Sequence, residues 1–280
     1  MDVISNMVDA YKKDDPICIV NGDIEVRLAR TKEEIAAGQK LRYQVFYEEL
    51  GAIPSEITKR EQRDFDDFDD ICDHLLAFDN SKSGSERVIA TYRLLREECV
   101  ERHEDFYSSA EFDLTNLYSD HFRSLVGERQ LLELGRSCVQ INYRTNAIMQ
   151  LMWRFIAHYV DRHKIAYLFG CASTAGTDLE KMKLALTYLY HNHQIPDEFT
   201  IPALAHMKQR MNYFEVDNYN KKQALRSLAP LIKGYLRLGC YIGDGVVVDK
   251  QFNSMDVFIL LPIDRLESRY LSLFDDKNND

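Results

Sequence analysis

Apolar and polar residues alternate from Ile24 to Arg30, the period of a half-buried strand. The period then becomes helical, with Ile35, Leu41, Val45 and Phe46 recurring on one side of Thr31 to Leu50. Thr31 and Glu34 have capping-box spacing, and Gly51 supplies a stop. Two apolar runs, CDHLLAFD and RVIATYRLL, flank the turn-rich NSKSGSE and predict a hairpin. A less regular region, 98 to 127, precedes a strand at Gln130 to Val139, a helix from about Asn146 to His163 and a strand at Ile165 to Gly170, together a strand, crossover helix, strand unit. Helices are expected at about Thr177 to His193 and Ala224 to Leu238, and strands at GVVVD and DVFILLP. The pattern is α/β: a mixed sheet flanked by helices. The expected organisation is an N-terminal extension over 1–23, a domain over 24–262 with a mostly helical insertion or lobe at 172–240, and a tail over 263–280.

Composition narrows the chemistry. At 280 residues and 45% hydrophobic, the chain can bury a large core. Its six cysteines are scattered and contain no CxxC pair, so neither a zinc site nor a disulfide scaffold is indicated, and a reducing cytoplasm fits. No signal peptide is evident, and no apolar run approaches the length of a membrane span. The net charge of −10 disfavours nucleic acid as a partner.

The strand QLLELGRSCV sets Glu133 and Arg136 among apolar residues. A buried charge costs several kcal/mol unless paired, so the two are either a structural ion pair or part of a site. In a regular strand, residues 133 and 136 face opposite ways. A bulge at Gly135 is therefore expected if both serve one cleft. Upstream, Glu61, Asp64, Asp66, Asp67, Asp69 and Asp70 fall within ten positions, interleaved with Phe65 and Phe68. The glycine and terminal glutamate of an EF-hand are absent, and no metal is expected.

Several strings resemble the GCN5-related N-acyltransferase (GNAT) fold: Arg42-x-x-x-Phe46, Asp64-x-Asp66-x-Phe68-Asp69, Arg93 in TYRLL, and Glu133-x-x-Arg136. They look like the branches that use acyl carrier protein, the autoinducer synthases and the ornithine-lipid amino-acid acyltransferases. CDHLLAFD, ELGRSCV followed by YRT, FGCASTAGTD and LIKGYLRLGCYIGDGVVVDKQFNSMDVFILLP favour the second branch. The resemblance covers about residues 24 to 262 and implies a GNAT fold with extra C-terminal helices. It also implies transfer of a 3-hydroxyacyl group from acyl carrier protein to the α-amino group of L-ornithine, giving a lyso-ornithine lipid.

In such an enzyme Glu133 is the leading candidate for the base that deprotonates the amine, an effect of about 10²–10⁴-fold, with Arg136 beside it as a second catalytic candidate. Arg42, Phe46, Asp64, Asp66, Asp69 and Arg93 are the substrate-binding candidates, a carboxylate for the side-chain ammonium of ornithine and an arginine for its α-carboxylate. The simpler reading is that Arg136 pairs with the acidic segment and fixes it.

Where coenzyme A enzymes of this fold carry a glycine-rich pyrophosphate loop, this chain reads Arg144, Thr145, Asn146, Ala147. Those first three residues are donor-binding candidates for the phosphate of a phosphopantetheine arm, with no cofactor bound permanently. Arg144, Arg154, Arg162 and Lys164 are candidates for docking the acidic carrier protein.

His74 and Asp79 match an HxxxxD pattern, but in a strand they point to opposite faces. Cys171 raises a covalent acyl-thioester route against a buried structural thiol. The apolar stripe of 225–236 packs on the protein's own sheet or lies on a membrane surface, which would give peripheral association at the inner face. Alternatives to the main reading are a homoserine-lactone synthase, acylation of another amino acid, and a non-enzymatic lipid or carrier-protein binding module.

Overall fold

A computed structural model describes residues 16–265. Residues 1–15 and 266–280, most of the expected extension and tail, lie outside the described residues. The chain forms two compact units. The first runs up to Cys99 and includes Leu134–Ile165; the second comprises Val100–Glu133 and Ala166–Arg265.

In the first unit, strands β1 (Cys18–Asn21), β2 (Ile24–Leu28), β3 (Asp73–Asp79) and β4 (Val88–Arg96) form an antiparallel meander. β1 falls in the stretch that periodicity left as an extension; at four residues, it is too short to show a period. β5 (Gln130–Val139) ends beside the start of β4, where the Gln140 amide donates to the Ile89 carbonyl at 2.8 Å.

α1 (Lys32–Tyr43) starts at Thr31, whose hydroxyl accepts from the Glu34 amide. The return bond of the expected capping box lands one residue early, because Glu34 accepts from the amide of Arg30 and also clamps Arg27. Gly38 lets this helix lie close on the sheet, since a Cβ there would stand 3.0 Å from Leu76. Ala37, Leu41 and Val45 then join Leu76, Phe78, Val88 and Cys138 in one core cluster.

The helix expected over 31–50 changes form after Tyr43, where Gln44–Glu49 wind as a π-helix. Such widened turns are found frequently at functional sites. α2 (Glu56–Glu61) follows. α4 (Asn146–Arg162) buries Ile148, Leu151, Met152, Phe155, Ile156, Tyr159 and Val160 at helical spacing, about 1.5–3 kcal/mol for each large side chain.

The second unit holds β6 (Ile165–Ala175, whose first residue belongs to the first unit), β7 (Tyr241–Asp249) and β8 (Ser254–Pro262), antiparallel in the order β6-β8-β7. A register shift between Ile242 and Val246 accommodates Gly243, where a Cβ would meet the Ile201 carbonyl at 2.6 Å. Phe106, Phe169, Phe258 and Phe112 pack in series, with neighbouring ring centroids 5.0–5.7 Å apart.

The irregular 98–127 region consists of short 3-10 turns and α3 (Asp120–Val126). α5 (Leu179–His193) matches expectation closely. The helix expected over 224–238 is two: α6 (Lys221–Ser227) and α7 (Pro230–Arg237). Pro230 disfavours helical geometry in the residue before it, and Leu228 and Ala229 are extended, with ψ of 143° and 144°. Ala224, Leu228, Ile232 and Tyr235 are buried, whereas Leu225 is 43% exposed.

Candidate active site

Two groups of buried and half-buried polar residues stand out, one in each unit. In the first, Asp64, Asp66 and Asp69 meet Arg42, Arg93 and Arg136. Asp66 caps the 3-10 turn Asp67–Asp70: it accepts from the Phe68 amide and its own amide donates to Asp69, so the acidic segment is locally ordered. The π-helical turn places Tyr47, whose hydroxyl donates to Asp64 at 3.0 Å.

The ion pairs close into a ring. Arg42 binds Asp69 through two bonds of 2.9 and 2.8 Å, and its Nε is ion-paired with Asp64 at 2.8 Å. Asp64 holds Arg136 at 3.1 Å, and Arg136 reaches Asp66 at 3.2 Å. Asp66 bonds to Arg93, and Arg93 returns to Asp69 at 3.6 Å. Cations and anions thus alternate, each touching two of opposite sign, and the formal charge of the six sums to zero.

Burial raises Asp69, but the guanidinium of Arg42 outweighs it and holds the carboxyl at about 2. Burial likewise acts to lower Arg42, and Asp69 and Asp64 overcome it. His74 donates from Nε2 to the Asp69 carbonyl at 2.9 Å, and burial lowers its basicity. It is a satisfied buried histidine. Asp79 instead takes Ser81 and Tyr143, so the HxxxxD match forms no dyad.

Near Gly135, where a bulge is expected, the backbone departs from regular strand geometry. The left-handed residue is Arg136, with φ of +49°, while Gly135 is not among those of positive φ. A side chain pays a steric cost in that region that glycine does not, and here two ion pairs hold it there. Phe46 packs against the apolar core cluster.

In the second unit, Glu133 is 3% exposed. Its Oε1 accepts from the amide and the hydroxyl of Ser108 at 2.7 and 2.5 Å, and its Oε2 from the amide of Tyr107 at 2.8 Å. These charge-assisted bonds are the compensation that a buried carboxylate requires. Glu133 thus binds Ser108 and Tyr107, while Arg136 binds Asp64 and Asp66.

The Cys171 thiol lies 3.4 Å from both Ser108 Oγ and Glu111. Burial and then the carboxylates of Glu111 and Asp256 push this thiol well above its ordinary value, which opposes the thiolate a covalent route needs. All six cysteines are free. Glu111, Asp249 and Asp256 bring carboxylate oxygens within 4.8 Å of one another; among the described residues they are the group that could hold a cation.

The donor-binding candidates start α4. Thr145 caps it by accepting from the Ile148 amide, and Asn146 is the first helical residue. Arg144 is clamped on Glu49 by bonds of 2.5 and 2.7 Å and donates to the Val139 carbonyl. Sixteen residue steps of 1.5 Å separate the ends of α4, so Arg144 and Arg162 stand at opposite ends of a helix about 24 Å long, with Arg154 midway along it.

Ser108, Glu111, Asp249 and Asp256 were missed in the sequence reading, since the first two lie in the aperiodic 98–127 stretch and nothing local ties any of them to Glu133. No described helix is long and apolar enough to cross a membrane.

Comparison with known proteins identifies the family. Residues 41–154 match the family model described as an acetyltransferase (GNAT) domain. The chain is 44% identical to an L-ornithine N(alpha)-acyltransferase of Brucella abortus over 90% of its length and 89% of that protein's. Proteins of the same description from Rhizobium meliloti and Agrobacterium fabrum are 43% and 42% identical over 90% of the chain and 84% and 85% of their own lengths. The chain belongs to the L-ornithine N(alpha)-acyltransferase family of GNAT acyltransferases.

Proposed function

We propose that the protein transfers a 3-hydroxyacyl group from acyl carrier protein to the α-amino group of L-ornithine, giving a lyso-ornithine lipid. The relatedness over 90% of the chain supports the reaction. The observation that carries the mechanism is the Glu133 carboxylate, buried in mid-strand and held by two amides and a hydroxyl.

In this reading Glu133 accepts a proton from the α-ammonium group, directly or through water. The freed amine attacks the thioester carbonyl, the C–N bond forms, and the tetrahedral intermediate breaks its C–S bond. The phosphopantetheine thiol leaves with a proton. Thr145 and Asn146 start the helix that faces the phosphate of the arm, and Arg144 serves it on release from Glu49. The arginines of the ring each carry two carboxylates already, so the ring acts as a scaffold that fixes the acidic segment and β5 rather than as the clamp for the α-carboxylate of the acceptor.

Incubation with 3-hydroxyacyl carrier protein and a panel of amino acids, read by mass spectrometry, tests the reading. An N-acylated ornithine is expected, with much less product from lysine or homoserine. Absence of any acylated amine would overturn it.

A further inference from the structure

Ser108 is completely buried in the 3-10 turn Tyr107–Ala110, and no sequence pattern marks it. Both of its donors reach one oxygen of Glu133, the amide at 2.7 Å and the hydroxyl at 2.5 Å. The turn is anchored independently of that contact. Its carbonyl accepts from the amides of Glu111 and Phe112 at 3.1 and 2.9 Å, and Ser109 bonds back to the carbonyls of Glu104 and Phe106. The Cys171 thiol stands 3.4 Å from the same hydroxyl oxygen and equally far from a carboxylate oxygen of Glu111.

We infer that Ser108 is the positioning residue of the acyl transfer, its hydroxyl fixing the rotamer of Glu133 and favouring the ionised carboxylate that accepts the proton of the amine. This rests on the reading of Glu133 as the base. A donor to a carboxylate stabilises its charged form, so loss of the hydroxyl moves proton uptake by Glu133 to higher pH.

The test compares Ser108→Ala, Ser108→Thr, Ser108→Cys and Glu133→Gln in steady-state transfer from 3-hydroxyacyl carrier protein to ornithine across pH, with thermal melting alongside. Ser108→Ala is expected to lower kcat about tenfold, to leave KM for the donor within about twofold and to move the acid limb of kcat/KM up by about one pH unit. Ser108→Thr keeps the hydroxyl and restores the limb; if the added methyl prevents folding, Ser108→Cys, nearly isosteric with a weaker donor, gives an intermediate shift.

A kcat loss that tracks melting temperature, with the acid limb unmoved, would overturn the inference while Glu133→Gln still abolished turnover. Full activity in Glu133→Gln would instead remove the base reading on which it rests. The two failures are thereby distinguishable.

Discussion

Replacing Arg42 by Met tests the ring where it is most buried. The Arg42 side chain is 1% exposed, and its guanidinium neutralises Asp64 and Asp69, whose side chains are 4% and 6% exposed. Met fills much of the volume but supplies no charge. Asp64 would then keep only Arg136 within the ring, and Asp69 only the longer contact to Arg93 at 3.6 Å. Removing one partner of a buried pair costs about 3–5 kcal/mol, because the remaining charge stays desolvated. At about 2–4 °C per kcal/mol for a chain of this size class, the melting temperature should fall by roughly 6–20 °C.

Arg42→Met with Asp69→Leu removes one charge of each sign and leaves a balanced chain from Asp64 through Arg136 and Asp66 to Arg93. The double variant should regain about 0.5–3 kcal/mol over the sum of the single losses. Urea unfolding of the four proteins at neutral pH measures this. A single-variant loss below about 1 kcal/mol, or strict additivity, would refute a ring in which the buried charges compensate one another.

Three further outcomes follow from particular groups. Asp69 is held at about 2 against its ordinary 3.8; a carboxyl lowered in the folded state stabilises above its unfolded value, and that contribution, about 2 kcal/mol, should vanish between about pH 4 and pH 2. Urea midpoints over that range should fall less steeply in Asp69→Asn; identical slopes would contradict the assignment. Arg136→Gly and Arg136→Ala both lose the ion pairs, but glycine tolerates the φ of +49°, so it should be the more stable by about 1 kcal/mol; equal stability would place no strain there. Cys171→Ala should keep transfer within about threefold of wild type, whereas loss of a covalent nucleophile lowers kcat by as much as about 10⁶.

Long periodic segments were legible in the sequence. The predicted strand over Gln130–Val139 has the observed bounds, and the predicted 146–163 helix ends within one residue of α4. Breaks within a period were not. The π-helical widening at Gln44 preserves an apolar spacing close to that of an α-helix, and the apolar stripe of 225–236 continues across the Pro230 break. Charge pattern and the motif resemblance brought together Arg42, Asp64, Asp66, Asp69, Arg93 and Arg136. Their closure into a ring was not readable, because it depends on which oxygen each guanidinium reaches. A bulge was expected at Gly135 because residues 133 and 136 of a regular strand face opposite ways; the left-handed residue there is Arg136, held by tertiary ion pairs. Ser108 and Tyr107 reach Glu133 from 25 and 26 residues away through backbone amides, which every residue but proline has, so no residue-type pattern could point to them.

The transfer rate of Glu133→Gln, relative to wild type, bears most directly on the central claim. Glutamine keeps the shape of the side chain and one acceptor oxygen, enough for the two Ser108 donors, while its amide nitrogen meets the Tyr107 amide and it takes up no proton. With 3-hydroxyacyl carrier protein and ornithine saturating, and folding verified by melting, kcat should fall by about 10²–10⁴-fold. A variant that folds and turns over within about threefold of wild type would contradict Glu133 as the base of the acyl transfer.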